Sequence, residues 1–178
     1  MQDRELYERI LGLSAPWSVS KVDLDTKAGE VHIHVDHPRG TKFRCPQCEK
    51  ELACYDHAAE RQWRHLDSCQ FKTILNARQP RVKSEEHRVQ LVSVPWAEKS
   101  SRFTLTFERF AIDVLQETQT VTGAMNILRA SWNETWHFLE RAVERGKSRK
   151  QAKLMPRIGI DEKAFAKGQS YVTILVGH

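Results

Sequence analysis

The sequence predicts an α+β chain: a β-rich zinc-finger-like module first, a helix-turn-helix three-helix segment second, and the start of a further sheet last. Three observations carry this reading. Apolar and polar side chains alternate with period two in several segments between Trp17 and Val94. After Pro95-Trp96 the apolar spacing becomes that of a helix with one buried face, at Phe103, Phe107, Phe110, Ala111, Val114 and Leu115. Near the C-terminus a short apolar run at 157–160 and a β-branched run at 171–176 flank a turn.

Taken in order, residues 3–13 predict a short helix, with Asp3 able to cap it and Leu6, Ile10 and Leu13 on one face. Segments 17–24 and 31–35 alternate, and Lys27-Ala28-Gly29-Glu30 between them predicts a hairpin. Residues 62–66 and 71–82 read as two more strands, and 89–94 as another ended by Pro95. A helix spans 103–117. Thr120 caps a second helix running to about Leu128, Arg129-Ala130-Ser131 breaks it, and Ser131 caps a third. That third helix runs from Trp132 to about Arg145, with Trp136, Leu139 and Val143 on its apolar face and Gly146 ending it. The predicted divisions are 1–96, 97–148, a basic linker at 149–156, and a hairpin at 157–178.

The 178 residues suffice for one ordinary domain or a few small modules. Charged residues at 29% and hydrophobic ones at 40% suit a folded soluble chain and argue against disorder. No apolar run approaches a membrane span, and the N-terminus lacks a signal-peptide pattern, so the expected compartment is the cytoplasm. There, cysteines are thiols or metal ligands rather than disulfides. The net charge of +5 permits nucleic-acid binding, and its placement says more. Arg145, Lys147, Arg149, Lys150, Lys153 and Arg157 follow one another with no acid between them.

Cys45-Pro46-Gln47-Cys48 has the spacing that lets two thiolates converge on one tetrahedral zinc. Ser84-Glu85-Glu86-His87 has the same spacing, with serine, a poor zinc ligand, in its first position. Cys45, Cys48 and His87 are therefore the expected ligands of a structural zinc. Cys54, His57, Cys69 or a water are candidates for the fourth. Cys69 otherwise reads as a buried thiol, and Trp63, Trp96 and Trp136 as core anchors.

Helix, short turn and helix is the geometry that places a second helix in the DNA major groove. Asn133, Glu134, Thr135 and His137 sit at the start of that helix, where base edges are read. Arg141 and Arg145, with Lys147, Arg149, Lys150 and Lys153 beyond them, suit phosphates. Asp161 interrupts an apolar strand, and a charge there calls for a metal, a cation or solvent.

The order of these pieces resembles bacterial insertion-sequence transposases of the ISL3 type. The matching residues are the Cys45–Cys48 knuckle, Trp63-Arg64-His65-Leu66-Asp67, Pro80-Arg81-Val82 leading to Glu86-His87, Val94-Pro95-Trp96-Ala97-Glu98, Ser101-Arg102-Phe103-Thr104, Phe107-Glu108-Arg109, Ser131-Trp132 and Gly159-Ile160-Asp161-Glu162-Lys163. The resemblance implies a zinc finger, a helix-turn-helix domain and the opening of a ribonuclease-H-like DDE domain, with Asp161 as the first catalytic aspartate of a magnesium-dependent triad. It implies double-stranded DNA at terminal inverted repeats as the partner and is compatible with a homo-oligomer. The rest of the triad would lie beyond His178, so this chain is expected to bind DNA without cutting it. A standalone zinc-containing helix-turn-helix regulator is the alternative.

Overall fold

The computed structural model describes residues 3–150, 158–166 and 170–177, with side chains described at 159–163 and 171–174 in the last two stretches. The chain falls into two units, Met1–Leu139 and Glu140–His178.

The first unit opens with α1 (Asp3–Leu11), followed by β1 (Ser18–Asp25) and β2 (Glu30–Asp36). The expected apolar face of α1 is out of phase. Leu6 and Ile10 are exposed, while Tyr7, Leu11 and Leu13 lie against the core. The carboxylate of Glu8 ties the helix to β1 by accepting from the Val19 amide at 2.8 Å. β1 and β2 form the predicted antiparallel hairpin.

β3 (Lys42–Arg44), β4 (Glu51–Ser68), β5 (Phe71–Ser84) and β6 (Arg88–Leu91) complete a six-stranded sheet of order β1-β2-β5-β4-β3, with β6 beside β5. β2 and β5 run parallel and the other neighbours antiparallel. β4 is far longer than the 62–66 its sequence suggests. Register shifts between Cys54 and Asp56 and between His57 and Glu60 break its alternation, so polar residues follow one another along a single strand. The β4–β5 turn is Cys69-Gln70, both with positive φ (50° and 73°), the backbone a two-residue hairpin of right-handed twist requires. Cys69 is therefore exposed at a turn and is not the buried thiol expected of it. The core of the module is aromatic at its centre. Trp96 packs edge-on against both Trp17 (4.9 Å) and Trp63 (5.6 Å), as expected for Trp63 and Trp96.

Three helices follow: α2 (Leu105–Thr118), α3 (Val121–Leu128) and α4 (Trp132–Arg149). Thr104 caps α2 and Thr120 caps α3, each side chain accepting from the amide three residues on. Phe107, Ala111, Val114, Leu115, Ala124, Leu128 and Phe138 are the buried core of this part.

Two connections hold the helices to the sheet within this unit. Arg64 on β4 exchanges backbone hydrogen bonds with the segment before α2, donating to Arg102 (2.8 Å) and accepting from Thr104 (3.0 Å). Arg129, in the turn between α3 and α4, donates to Asp67 (3.0 Å) and to the carbonyl of Gln70 (2.7 Å), and Asp67 also pairs with Arg64.

Beside the first connection His65 is buried, its Nδ1 2.9 Å from the hydroxyl of Thr104. That hydroxyl already accepts from the Phe107 amide, so its proton is directed at a neutral imidazole. Burial pulls the His65 pKa from 6.5 down to about 4. Because the unfolded chain takes up the proton first, this group's contribution is complete above about pH 6.5. It is lost as the pH falls toward 4, amounting to about 3 kcal/mol across the window. Denaturant melts at pH 7 and pH 4.5 should differ in this direction. His65→Gln should flatten the slope between them.

In the second unit α4 runs on past Gly146 to Arg149, so that glycine does not end the helix. A mid-helix glycine costs about 1 kcal/mol, while Lys147 and Arg149 in the last turn favour the negative helix end. Val143, expected on the apolar face, is exposed. The unit also contains the antiparallel hairpin β7 (Ile158–Ala166) and β8 (Ser170–Gly177), which form a two-stranded sheet among the described residues. Ile160, Val172 and Ile174 are exposed on it.

Candidate metal centre and nucleic-acid interface

The two knuckles predicted from spacing meet. The Cys45 and Cys48 sulfurs and a His87 ring nitrogen all lie within 4.8 Å of one another. The knuckles share their local geometry. The residue after each, Glu49 and Arg88, has φ of 57°, so each turn closes with one left-handed residue. Ser84 thus occupies in the second knuckle the place Cys45 holds in the first. Its hydroxyl is buried, 3.8 Å from the Cys48 sulfur, and accepts from the Glu86 amide. Lys50 and Glu86 pair across the knuckles at 2.7 Å.

The electrostatics favour a metal-bound thiolate. The backbone amides of Cys48 and Gln47 point at the Cys45 sulfur and hold its pKa below the usual thiol value, against the opposing effect of desolvation. Two thiolates and an imidazole fit the donor preference of zinc, which binds sulfur at about 2.3 Å and nitrogen at about 2.0 Å. A fourth ligand would sit on the Ser84 side, beside the Cys48 sulfur. Cys54 does not supply it. β3 pairs with β4 through Arg44↔Glu51, which sets Cys45 beside Lys50, four residues before Cys54. That is about 13 Å along a strand.

α3 and α4 are joined by a short turn, with the break at Arg129-Ala130-Ser131 as predicted. Arg129 is left-handed (φ 52°) and closes α3, its amide reaching the Asn126 and Met125 carbonyls. Ser131 starts α4 in a capping box. The Glu134 carboxylate accepts from the Ser131 amide (2.9 Å) and hydroxyl (2.8 Å), and Ser131 Oγ accepts from the Glu134 amide. Four residues predicted to read base edges therefore divide by role. Glu134 is occupied by the cap. Thr135 is fully buried and donates to the Ser131 carbonyl. Asn133 and His137 are exposed.

Trp136 is also exposed, not a core anchor, and stacks on Trp132 at 5.3 Å with the rings 7° from parallel. The buried aromatic is Phe138, at 4.7 Å from Phe103 and 5.8 Å from Phe107. Thr135 and Phe138 turn inward, one position off the phase that Trp136 suggests.

In the second unit, Arg141 and Arg145 are half-buried, and Lys147, Arg149 and Lys150 exposed. Lys153 lies outside the described residues, as does Arg157. Asp161 is exposed on β7 opposite Ile174, and one carboxylate oxygen accepts from the Glu162 amide at 2.9 Å. Among the described residues it is not gathered with other metal-ligating side chains.

Residues 41–87 match the family described as the zinc-finger of transposase IS204/IS1001/IS1096/IS1165. Residues 92–143 match the helix-turn-helix domain of transposase family ISL3. The chain thus carries two successive segments that match domains of ISL3-type transposases. It is 27% identical over 190 residues, covering 100% of the chain, to the transposase for insertion sequence element IS1557 of Mycobacterium tuberculosis strain CDC 1551 / Oshkosh, and equally to that of strain ATCC 25618 / H37Rv. The chain spans 41% of the length of those two relatives. No solved structure matches it. The zinc-finger match ends at His87, so it encloses both knuckles of the centre described above. No helix among the described residues is long and apolar enough to cross a membrane.

Proposed function

We propose that this chain is the DNA-binding part of an insertion-sequence transposase, acting in the cytoplasm on the terminal inverted repeats of its element. The observation that carries the reading is the capped turn at 129–131, which presents the exposed Asn133 and His137 at the start of α4. A helix entering the major groove reads bases with that end. The cations Lys147, Arg149, Lys150 and Lys153 suit the flanking phosphates, where neutralisation releases counterions.

The roles divide by module. Cys45, Cys48 and His87 hold a structural zinc that fixes the β3–β4 and β5–β6 turns against one another. The sheet in turn anchors the recognition turn through Arg129 and Asp67. When bound, zinc supplies cross-linking of the two turns, and the chain itself supplies the DNA contacts. Asp161 belongs, on this reading, to the metal-dependent strand-cleaving region of the whole transposase, which uses magnesium and further carboxylates. The divisions 1–96, 97–148, 149–156 and 157–178 are the corresponding functional segments.

A gel-shift with element-end DNA and a scrambled duplex, at two salt concentrations, tests the reading. Tighter binding to the element ends and weakening of both complexes by salt are expected. Equal affinity for the two duplexes would remove the specificity, and no shift with either would remove the DNA function.

A further inference from the structure

A second group of metal-binding side chains lies apart from the paired knuckles. His37, in the connection between β2 and β3, meets Cys54 and His57 on β4, with all three donor atoms within 4.8 Å of one another. The Nε2 atoms of His37 and His57 are 2.9 Å apart and the rings stack at 5.1 Å. The Cys54 sulfur is 3.8 Å from His57 Nε2. We propose that His37, Cys54 and His57 bind a second zinc-class divalent ion.

The tautomers support it. A carbonyl can only accept, so the 3.1 Å contact between His37 Nδ1 and the Pro38 carbonyl puts the proton of the neutral ring on Nδ1. The Nε2 lone pair then faces His57 and Cys54. This is the outer hydrogen bond that metal-ligating histidines generally make. His57 can move its own proton to the outer nitrogen and turn Nε2 to the same ion. His57 then keeps that proton on Nδ1, and only the Cys54 thiol gives up a proton to solvent as the metal enters.

The distances fit too. In a tetrahedral zinc site, nitrogens are roughly 3.4 Å apart, and sulfur and nitrogen roughly 3.6 Å. The nitrogens, at 2.9 Å, would part by about half an ångström, and the sulfur and nitrogen, at 3.8 Å, would close by about 0.2 Å. The rings hold their place without a metal: His37 packs edge-on against Trp17 (5.5 Å) and Phe43 (4.8 Å). Asp56, next to His57, is occupied by both guanidinium contacts of Arg81, and Asp36, next to His37, accepts from the His37 amide at 2.8 Å, so water completes the shell. The group opens on a cleft of about 740 Å³, which gives the ion and that water a path in. Two histidines and one thiolate suit zinc or cobalt over magnesium or calcium, which prefer oxygen.

Bound metal would pin the β2–β3 connection to β4. Cobalt titration of the metal-free, reduced 178-residue chain tests this, with zinc per chain measured alongside. His37→Asn and His57→Asn should each remove one equivalent of cobalt while leaving the equivalent that Cys45→Ser removes. An equivalent count unchanged by both histidine variants would overturn the proposal. Because a variant can lose its fold, the unaltered chain provides a second readout. Zinc should shift the ring nitrogen resonances of His37 and His57, and unmoved signals at saturating zinc would overturn it equally.

Discussion

Replacing Ser84 with cysteine is expected to tighten zinc binding at the paired knuckles by more than about 100-fold, since even partners outside the ligand shell are worth about 10- to 100-fold. The reason lies in the repeated backbone. Both knuckles end on a residue at φ 57°, so position 84 presents its side chain as position 45 does. The Ser84 hydroxyl is already buried and 3.8 Å from the Cys48 sulfur, close to the spacing of two ligands on one ion. A thiolate there would replace a water as fourth ligand and close a tetrahedral site of three sulfurs and one nitrogen. Competition against a chromogenic chelator measures the change. Unchanged affinity would show that the second knuckle does not aim position 84 at the metal. The reverse substitution, Cys45→Ser, removes the thiolate that the amides of Gln47 and Cys48 stabilise and should abolish binding at this centre.

The second large effect is on the helices. Phe138→Ala should cost about 3–5 kcal/mol, the usual range for deleting a buried phenyl ring. Phe138 is 1% exposed and packs against Phe103 and Phe107, so its loss opens a cavity where the start of α4 meets α2. A whole domain is stable by only about 5–15 kcal/mol, so the helical part should lose its cooperative melt and its DNA binding together. Zinc binding by Cys45, Cys48 and His87 should survive, because those residues draw on the separate core around Trp17, Trp63 and Trp96. Circular dichroism melts with parallel zinc counts check this. Trp136→Ala, on an exposed ring, should leave the melt nearly unchanged.

These two contrasts mark what the sequence discloses and what it hides. Ligand spacing is local chemistry, so the knuckles at 45–48 and 84–87 were readable, as were the caps at Thr120 and Ser131. The fate of Cys54 was not. Whether it joins Cys45 or His37 depends on the β3–β4 register and on the path of the β2–β3 connection, and both are long-range. The Cys54-x-x-His57 spacing was the one local signal of the second group, and His37 had none. Bulges concealed β4, because each reverses the alternation by which a half-buried strand is recognised. The parallel pairing of β2 with β5 is likewise invisible to a residue-by-residue reading. On α4 the size of Trp136 misplaced the buried face. The Ser131–Glu134 box, legible in sequence as Ser-x-x-Glu, marks where the helix starts and leaves its buried face open.

If the start of α4 reads DNA sequence, Asn133 and His137 carry the discrimination between duplexes. Dissociation constants for the unaltered chain and an Asn133→Ala/His137→Ala variant, each with element-end and scrambled duplexes at one salt concentration, test it most directly. A lost base contact is worth about 1–3 kcal/mol of discrimination. The preference for element ends should therefore shrink by about tenfold or more, while affinity for the scrambled duplex stays the same. A preference untouched by the double substitution would contradict it.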